Sequence, residues 1–139
     1  MRVKDIMTCG VSLVSPALTV QEAAKIMRDA NVGSLPVGED GQLTGMVTDR
    51  DIACRAAAEG WDPAKTKIRD ITSKKIAHCF DDQDVKDAAH LMEKKQIHRL
   101  PVLNREKRMV GILSVGDLAI HASNRLTGEV VEAVSRHAT

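Results

Sequence analysis

The chain has 139 residues, 43% of them apolar and 28% charged, and a formal net charge of +1. This length is enough for a hydrophobic core, and the small charge gives no strong attraction to nucleic acid or to an anionic membrane. Trp61 and Phe80 are its only aromatic residues, which argues against a single-strand nucleic-acid site built on base stacking. No apolar run approaches the roughly 18 residues of a membrane span, and the N-terminal stretch lacks the apolar segment of a secretory signal. We therefore expect a cytoplasmic protein.

The chain repeats one pattern at an offset of 65 residues, which predicts two copies of one structural unit. Residues 4–6 (Lys-Asp-Ile) return as 69–71 (Arg-Asp-Ile), and the Leu-Pro-Val of residues 35–37 returns at 100–102. Beyond these the offset becomes 66, which places Gly45, Thr48 and Asp51 on Gly111, Ser114 and Asp117. One extra residue has therefore entered between positions 102 and 111, and we expect a loop there.

In the first copy, Thr19 and Glu22 have the spacing of a capping box, ahead of a helix whose apolar residues 20, 23, 24 and 27 share one face. A strand follows near residues 35–37. Its Pro36 predicts a sheet edge or a strand end, because proline cannot donate to a ladder. A turn at residues 39–42 leads to a strand at 43–47. A second helix over about 49–58 then ends before Gly60.

The second copy repeats this order. Asp84 and Asp87 form an acidic analogue of the capping box before a helix. Strands follow near 100–102 and 109–113, then a helix over about 115–122. A last helix, about 128–137, places Val130, Val131 and Val134 on one side, where they could cover the core or a partner subunit. Each β-α-β-β-α half is too small to bury its sheet alone, so we expect the halves to share one core.

Residues 45–52 read GMVTDRDI and residues 111–118 read GILSVGDL, and two interpretations of this repeated motif stay open. In the structural one, the hydroxyl residue and the Asp three places later cap a helix, and the glycine permits close backbone packing. In the functional one, the start of the helix attracts a phosphate, and the carboxylate accepts both hydrogen bonds of a ribose diol. The second interpretation predicts a nucleotide site.

The diagnostic stretches occur in one order in both copies: VKDIMT, VGSLPV with GMVTDRDI, and IHRLPV with GILSVGDL. Together they resemble a pair of cystathionine-β-synthase (CBS) domains, or Bateman module, over residues 3–123. The chain is similar to stand-alone CBS pairs of the hypoxic-response and universal stress type. The resemblance implies an α+β (α/β-like) fold of two β-α-β-β-α repeats packed through their sheets with pseudo-twofold symmetry. The predicted domains are 1–59 and 67–124, with a linker at 60–66 and a C-terminal helix or tail at 125–139.

In that family, the clefts between paired domains commonly bind AMP, ADP, ATP or S-adenosylmethionine. Carried over residue by residue, the resemblance implies a first site in which Asp51 binds the ribose, Thr48 lies beside it and Met46 forms an apolar wall for the base. His98 and Arg99 would reach the phosphates from the opposite domain. From the residues alone, the preferred interpretation of His98 and Arg99 is that they are solvated or ion-paired surface side chains; the binding role rests on the resemblance.

The second site implied by the resemblance uses Asp117, Ser114 and Ile112, with Gly33 and Ser34 on its phosphate side. Gly33 and Ser34 carry no charge, which departs from the pattern of the first site. We therefore expect the second site to take a less charged ligand, or none.

No catalytic constellation or metal-ligand spacing is found in the sequence, so we expect no enzyme activity, no metal and no required cofactor. The cysteines Cys9, Cys54 and Cys79 are odd in number and widely spaced, which predicts free thiols rather than a disulfide. Cys79 could form a thiolate pair with His78, but burial as a small apolar residue is the preferred interpretation.

These observations predict a regulatory module that senses an adenine nucleotide and passes its state to a protein partner that the residues do not identify. The alternative is a constitutive structural or interaction protein with empty clefts. Nucleic-acid binding, known for some CBS pairs, is disfavoured by the charge. The resemblance also implies a homodimer, for which residues 53–57 and 120–122 are candidate faces.

Overall fold

The computed structural model describes residues 1–74 and 76–137, except for the side chain of His137. It divides the chain into two compact units: the first unit, Ser12–Ile76, and the second unit, Met1–Val11 with Ala77–Thr139. The last two residues of the predicted tail, 138 and 139, lie outside the described residues. The predicted domain ranges follow the sequence repeat, whereas each compact unit takes its leading segment from the other copy.

The elements alternate between helices and strands in two similar series, which confirms the predicted α+β fold class. In chain order they are α1 (Val3–Ile6), α2 (Val20–Ala30), β1 (Ser34–Glu39), β2 (Gln42–Thr48), α3 (Asp49–Asp51) continuing as a π-helical segment (Ile52–Ala57), a 3-10 turn (Ile68–Asp70), β3 (Cys79–Phe80), α4 (Val85–Lys95), β4 (Arg99–Leu103), β5 (Met109–Ser114), α5 (Val115–His121) and α6 (Asn124–His137). No described helix is both long enough and apolar enough to span a membrane.

Each unit is built on an antiparallel hairpin. In the first unit β1 pairs with β2, and Asp40 and Gly41 at the turn have φ values of 53° and 78°. In the second unit β4 pairs with β5 on one side and in parallel with β3 on the other. The connection at residues 104–108 is organised by Asn104, whose side chain accepts hydrogen bonds from two later backbone N–H groups. The predicted extra loop residue of the second copy is thereby confirmed.

The prolines of the two Leu-Pro-Val stretches lie inside strands. Pro36 lies in an edge strand, because β1 belongs to a two-stranded sheet, so the predicted edge position is confirmed; Pro101 differs, because β4 is the central strand of three. Pro36 lies opposite Met46, and Pro101 opposite Ile112 in the central strand of its sheet. The N–H and C=O groups of Met46 and Ile112 form their hydrogen bonds with other partners. Each proline therefore occupies a non-hydrogen-bonded pair, where its missing N–H costs the hairpin nothing.

The other hydrogen-bond partners of β2 and β5 come from the exchanged leading segments. Thr8 exchanges two backbone hydrogen bonds with Ile112 (2.8 and 3.0 Å), and Ser73 does the same with Met46 (3.0 and 3.1 Å). Residues 1–11, which open the first repeat, therefore pack on the second copy, and residues 66–74, which open the second repeat, pack on the first. The exchange occurs in both units, as expected for two copies of one pattern.

Of the capping boxes predicted at the starts of α2 and α4, the structure contains the first but not the second. The predicted capping box of Thr19 and Glu22 is confirmed: the Glu22 N–H donates to the Thr19 hydroxyl at 3.1 Å, and the Glu22 carboxylate accepts the Thr19 N–H at 3.3 Å. Asp84 caps α4, but it accepts the N–H of Lys86 rather than that of Asp87. The reciprocal box predicted with Asp87 is therefore wrong.

Each unit has its own buried apolar cluster, and the core shared between the two halves stays a prediction. The last helix supplies part of the cluster of the second unit. It begins at Asn124, four residues earlier than predicted, after Ser123 accepts the Leu126 N–H at 3.2 Å. Val130 and Val134 are buried in the core of the second unit, whereas Val131 remains 42% exposed. One helical face, with a spacing of four residues, therefore supplies the burial that the small sheet lacks.

Candidate functional site

The repeated motif lies where a strand passes directly into a helix. In the first unit, β2 ends at Thr48 and α3 begins at Asp49. The Asp51 N–H donates to the Thr48 hydroxyl at 3.0 Å, and Asp51 Oδ2 accepts the Thr48 N–H at 2.9 Å. In the second unit, Ser114 and Asp117 form the same two bonds at 3.1 and 2.9 Å. The structural interpretation of the motif as a capping box is therefore confirmed in both copies.

The motif glycines have the predicted packing role. A Cβ at Gly45 would lie 2.2 Å from Thr72 Cγ2 and 2.8 Å from the Ser73 carbonyl oxygen. A Cβ at Gly111 would lie 2.8 Å from the Thr8 carbonyl oxygen. Only a residue without a side chain lets the exchanged segments approach β2 and β5 closely enough to form their hydrogen bonds.

The two motif carboxylates differ in the contacts of Oδ1, the carboxylate oxygen that does not accept the capping hydrogen bond from the backbone. Asp117 Oδ1 accepts a hydrogen bond from the Thr8 hydroxyl at 3.0 Å. Asp51 Oδ1 accepts none from the residues that the structure describes, and its near neighbour is the Arg55 guanidinium at 3.8 Å. The Asp51 side chain is 16% exposed. Asp51 thus retains hydrogen-bonding capacity that Asp117 has already used.

Each hairpin brings further predicted site residues to the same junction. In the first unit, Ser34 lies opposite Thr48, and the Gly33 carbonyl accepts the Asp49 N–H at 2.9 Å. A Cβ at Gly33 would lie 3.0 Å from Asp49 Oδ2, so the chain is tightly packed at this point. Met46 lies two residues before Thr48 and is half-buried.

The second unit has the equivalent arrangement. Arg99 lies opposite Ser114, and the His98 carbonyl accepts the Val115 N–H at 3.0 Å. Both His98 and Arg99 are exposed, whereas Ile112 is buried. The candidate residues therefore group by unit: Gly33 and Ser34 accompany Asp51, and His98 and Arg99 accompany Asp117. The predicted combinations of Asp51 with His98 and Arg99, and of Asp117 with Gly33 and Ser34, stay predictions.

Two contacts of the motif carboxylates were missed in the sequence. Arg55 follows Asp51 by four residues, the spacing of an ion pair on one helical face, so a signal for it existed. Thr8 lies 109 residues from Asp117, and nothing local to either residue indicates the contact.

The cysteines are free, as predicted. Cys9 and Cys54 are exposed and Cys79 is buried. Burial, with a smaller contribution from Asp81, raises the pKa of the Cys79 thiol to about 12. This thiol stays protonated near neutral pH, which agrees with an apolar packing role rather than a thiolate pair with His78.

Comparison with known proteins identifies the repeat. The family model for the CBS domain matches residues 3–57 and 68–124. CBS domain-containing protein YhcV of Bacillus subtilis is 42% identical over 134 residues, 96% of this chain and 94% of YhcV. Hypoxic response protein 1 of Mycobacterium tuberculosis is 34% identical over 132 residues, 94% of this chain and 92% of that protein.

Solved structures support the same assignment. A crystal structure of Hypoxic Response Protein I with two coordinated zinc ions is similar with a TM-score of 0.79 and 34% identity, over 87% of this chain and 98% of that one. The CBS domain pair of protein MJ0100, in complex with 5′-methylthioadenosine and S-adenosyl-L-methionine, has a TM-score of 0.75 and 32% identity, over 92% of this chain and 96% of that one. The chain therefore belongs to the CBS domain family and carries two CBS domains.

Proposed function

We propose that this protein is a regulatory module that binds an adenosine ligand, namely AMP, ADP, ATP or S-adenosylmethionine, through Asp51. The observation that carries the proposal is the free Oδ1 of Asp51, held at a strand-to-helix junction beside Thr48. The capping box fixes the orientation of the carboxylate, so the ligand does not have to order it on binding.

A ribose diol suits this carboxylate chemically. Its two hydroxyl groups need acceptors, and the ionised Asp51 can offer Oδ1 together with the remaining lone pair of Oδ2. The Arg55 guanidinium, 3.8 Å away and more than half exposed, forms a weak ion pair that a ligand can displace. The half-buried Met46 would contact the base. The complex of the similar MJ0100 pair with two adenosine compounds supports this ligand class.

His98 and Arg99 complete the proposed first site on its phosphate side. Both are exposed, and Arg99 has no ion-pair partner within the described part of the chain, so its charge is available. The proposed second site, with Gly33, Ser34, Ile112, Ser114 and Asp117, is the weaker one, because the Thr8 hydroxyl competes with a ribose for Asp117.

The test is a thermal-shift series with AMP, ATP and S-adenosylmethionine. Asp51→Asn keeps one oxygen for the cap and removes the charge, and Asp117→Asn is its matched control in the other copy. We expect Asp51→Asn to weaken binding by about 10- to 100-fold, since a hydrogen bond to a charged group contributes roughly 1.5–3 kcal/mol. Asp117→Asn should leave the tightest site unchanged. Arg99→Ala should lower the affinity for ATP more than the affinity for S-adenosylmethionine, because S-adenosylmethionine has no phosphate.

A constitutive structural role is the second candidate, because the two capping boxes already account for the motif residues. It predicts that no adenosine ligand changes the thermal midpoint of the parent protein.

We further propose a homodimer that transmits the bound state to a protein partner. Ile120 is 75% exposed, and Ala53 and Ala57 are exposed, so the predicted faces offer apolar surface. Sedimentation of the parent and of Ile120→Glu tests this proposal. We expect the parent to be a dimer and Ile120→Glu to dissociate more readily into monomers. A monomeric parent would contradict the proposal.

A further inference from the structure

We propose that the second unit binds a divalent transition-metal ion through His90 and Glu93 of α4 and Glu129 of α6. One ligand atom from each of these three side chains lies within 4.8 Å of the other two. His90 and Glu93 are three residues apart and therefore lie on the same face of α4. Helix α6 packs along this helix and supplies Glu129. The site uses neither motif carboxylate, so it stands apart from the adenosine site. It departs from the expectation of no metal, because Glu129 is brought to His90 and Glu93 only by the packing of α6 on α4.

The three ligand atoms need to move only a short way to complete a coordination shell. Metal–ligand bonds of about 2.0–2.2 Å in a tetrahedral shell place neighbouring ligand atoms roughly 3.4 Å apart. Since no separation exceeds 4.8 Å, each must close by no more than about 1.4 Å, which changes of side-chain torsion can provide. His90 and Glu129 are exposed and Glu93 is half-buried, so the ion would reach the site from solvent.

The state of Glu93 supplies an independent observation. Its Oε1 is buried and has no hydrogen-bond partner among the residues that the structure describes. A buried carboxylate oxygen without a partner is costly, and such groups in proteins are paired or coordinate metal ions. A ligand atom of His90 and one of Glu129 lie within 4.8 Å of a carboxylate oxygen of Glu93, and with a cation these three groups form a consistent ligand set.

The chemistry of the set indicates the class of ion. One imidazole nitrogen and two carboxylate oxygens, without a thiolate, suit a borderline divalent ion such as Zn²⁺, and three protein ligands leave one position for water. Glu129 also pairs with the Arg125 guanidinium at 3.3 Å, but this pair is exposed and therefore weak enough to be displaced.

The first copy has no equivalent site. At the offset of 65 residues, Lys25 and Arg28 occupy the positions of His90 and Glu93, and two cationic side chains cannot bind a metal ion. The ligand set therefore distinguishes the second copy, and the repeated CBS pattern does not explain it.

The test is a calorimetric titration of the full chain with Zn²⁺, in a Cys9→Ser/Cys54→Ser background so that the exposed thiols cannot bind the ion. We expect one ion per chain. His90→Gln and Glu93→Gln should each weaken binding at least about tenfold, since even outer-shell changes commonly cost 10- to 100-fold. The matched controls are His121→Gln and Glu132→Gln, which alter an exposed histidine and an exposed glutamate elsewhere in the second unit.

A second readout separates the site from adventitious binding. Zn²⁺ should raise the melting temperature of the parent, because it binds only the folded arrangement of α4 and α6. Glu93→Gln should abolish this increase while melting close to the parent without metal, since glutamine keeps the size and shape of the glutamate side chain. Equal affinities in the parent and in the His90 and Glu93 variants, or binding lost equally in the controls, would overturn the proposal.

Discussion

Substitution of Gly45 by alanine tests the packing of the exchanged segment on β2. The new Cβ would lie 2.2 Å from Thr72 Cγ2 and 2.8 Å from the Ser73 carbonyl oxygen, where ordinary contacts measure about 3.5–4.0 Å. Neither neighbour can withdraw freely. The Thr72 hydroxyl donates to the Ile68 carbonyl at 2.5 Å, and Ser73 is bonded in both directions to Met46. The clash must therefore displace backbone.

The expected loss follows from these contacts. Overpacking costs about 1–3 kcal/mol, and one weakened backbone hydrogen bond adds about 0.5–1.5 kcal/mol. Gly45→Ala should therefore lower the free energy of unfolding by roughly 2–4 kcal/mol. Gly111→Ala should cost less, because one of its contacts is the flexible end of the Met7 side chain, at 2.9 Å.

Urea unfolding at 25 °C measures both losses, and Gly128→Ala is the matched control. Gly128 lies within α6 with nothing within 4 Å of its added Cβ, so alanine there should stabilise by up to about 1 kcal/mol through helix propensity. If Gly45→Ala costs less than about 0.5 kcal/mol, or no more than Gly128→Ala, the close approach of the Thr72–Ser73 segment to β2 is refuted.

Two further predictions concern titratable groups. In the native protein a thiol reagent should label Cys9 and Cys54 and reach Cys79 only on unfolding, because burial raises the Cys79 pKa to about 12; rapid native labelling of all three would contradict this. The hydrogen bonds from Arg105 lower the pKa of Asp82 below its ordinary value of 3.8, so this pair stabilises the fold above that pH and the benefit is lost as the pH falls through the lowered pKa. Urea unfolding measures the loss of unfolding free energy in Arg105→Gln, and this loss should become smaller as the pH falls. A loss independent of pH would refute the contribution of the Asp82–Arg105 pair.

Local features of the fold could be predicted from the sequence. The capping boxes of Thr19 with Glu22 and of Thr48 with Asp51 depend on residues three apart, so the pattern contains both partners. The repeat identified the second copy and its extra loop residue. Aspartate is less informative, because it caps either the second or the third N–H of a helix, and Asp84 takes the second.

The long-range features could not be predicted. The leading segments of the two copies share one pattern, so the sequence cannot state which copy each one packs on. For the same reason the bond from Thr8 to Asp117 was not foreseen. The central position of Pro101 was not foreseen either, because its strand neighbour Ile112 bonds to that same leading segment rather than to the proline.

The most direct test of the proposed function is a calorimetric titration of AMP into the parent protein and Asp51→Asn, after any co-purified ligand has been removed by unfolding and refolding. We expect saturable binding of AMP to the parent, an affinity lower by about 10- to 100-fold in Asp51→Asn, and an affinity like that of the parent in Asp117→Asn. Binding of AMP with equal affinity to the parent and Asp51→Asn would contradict the assignment of the ribose to Asp51. If neither AMP nor any other adenosine ligand of the series binds the parent, the structural role is the correct one.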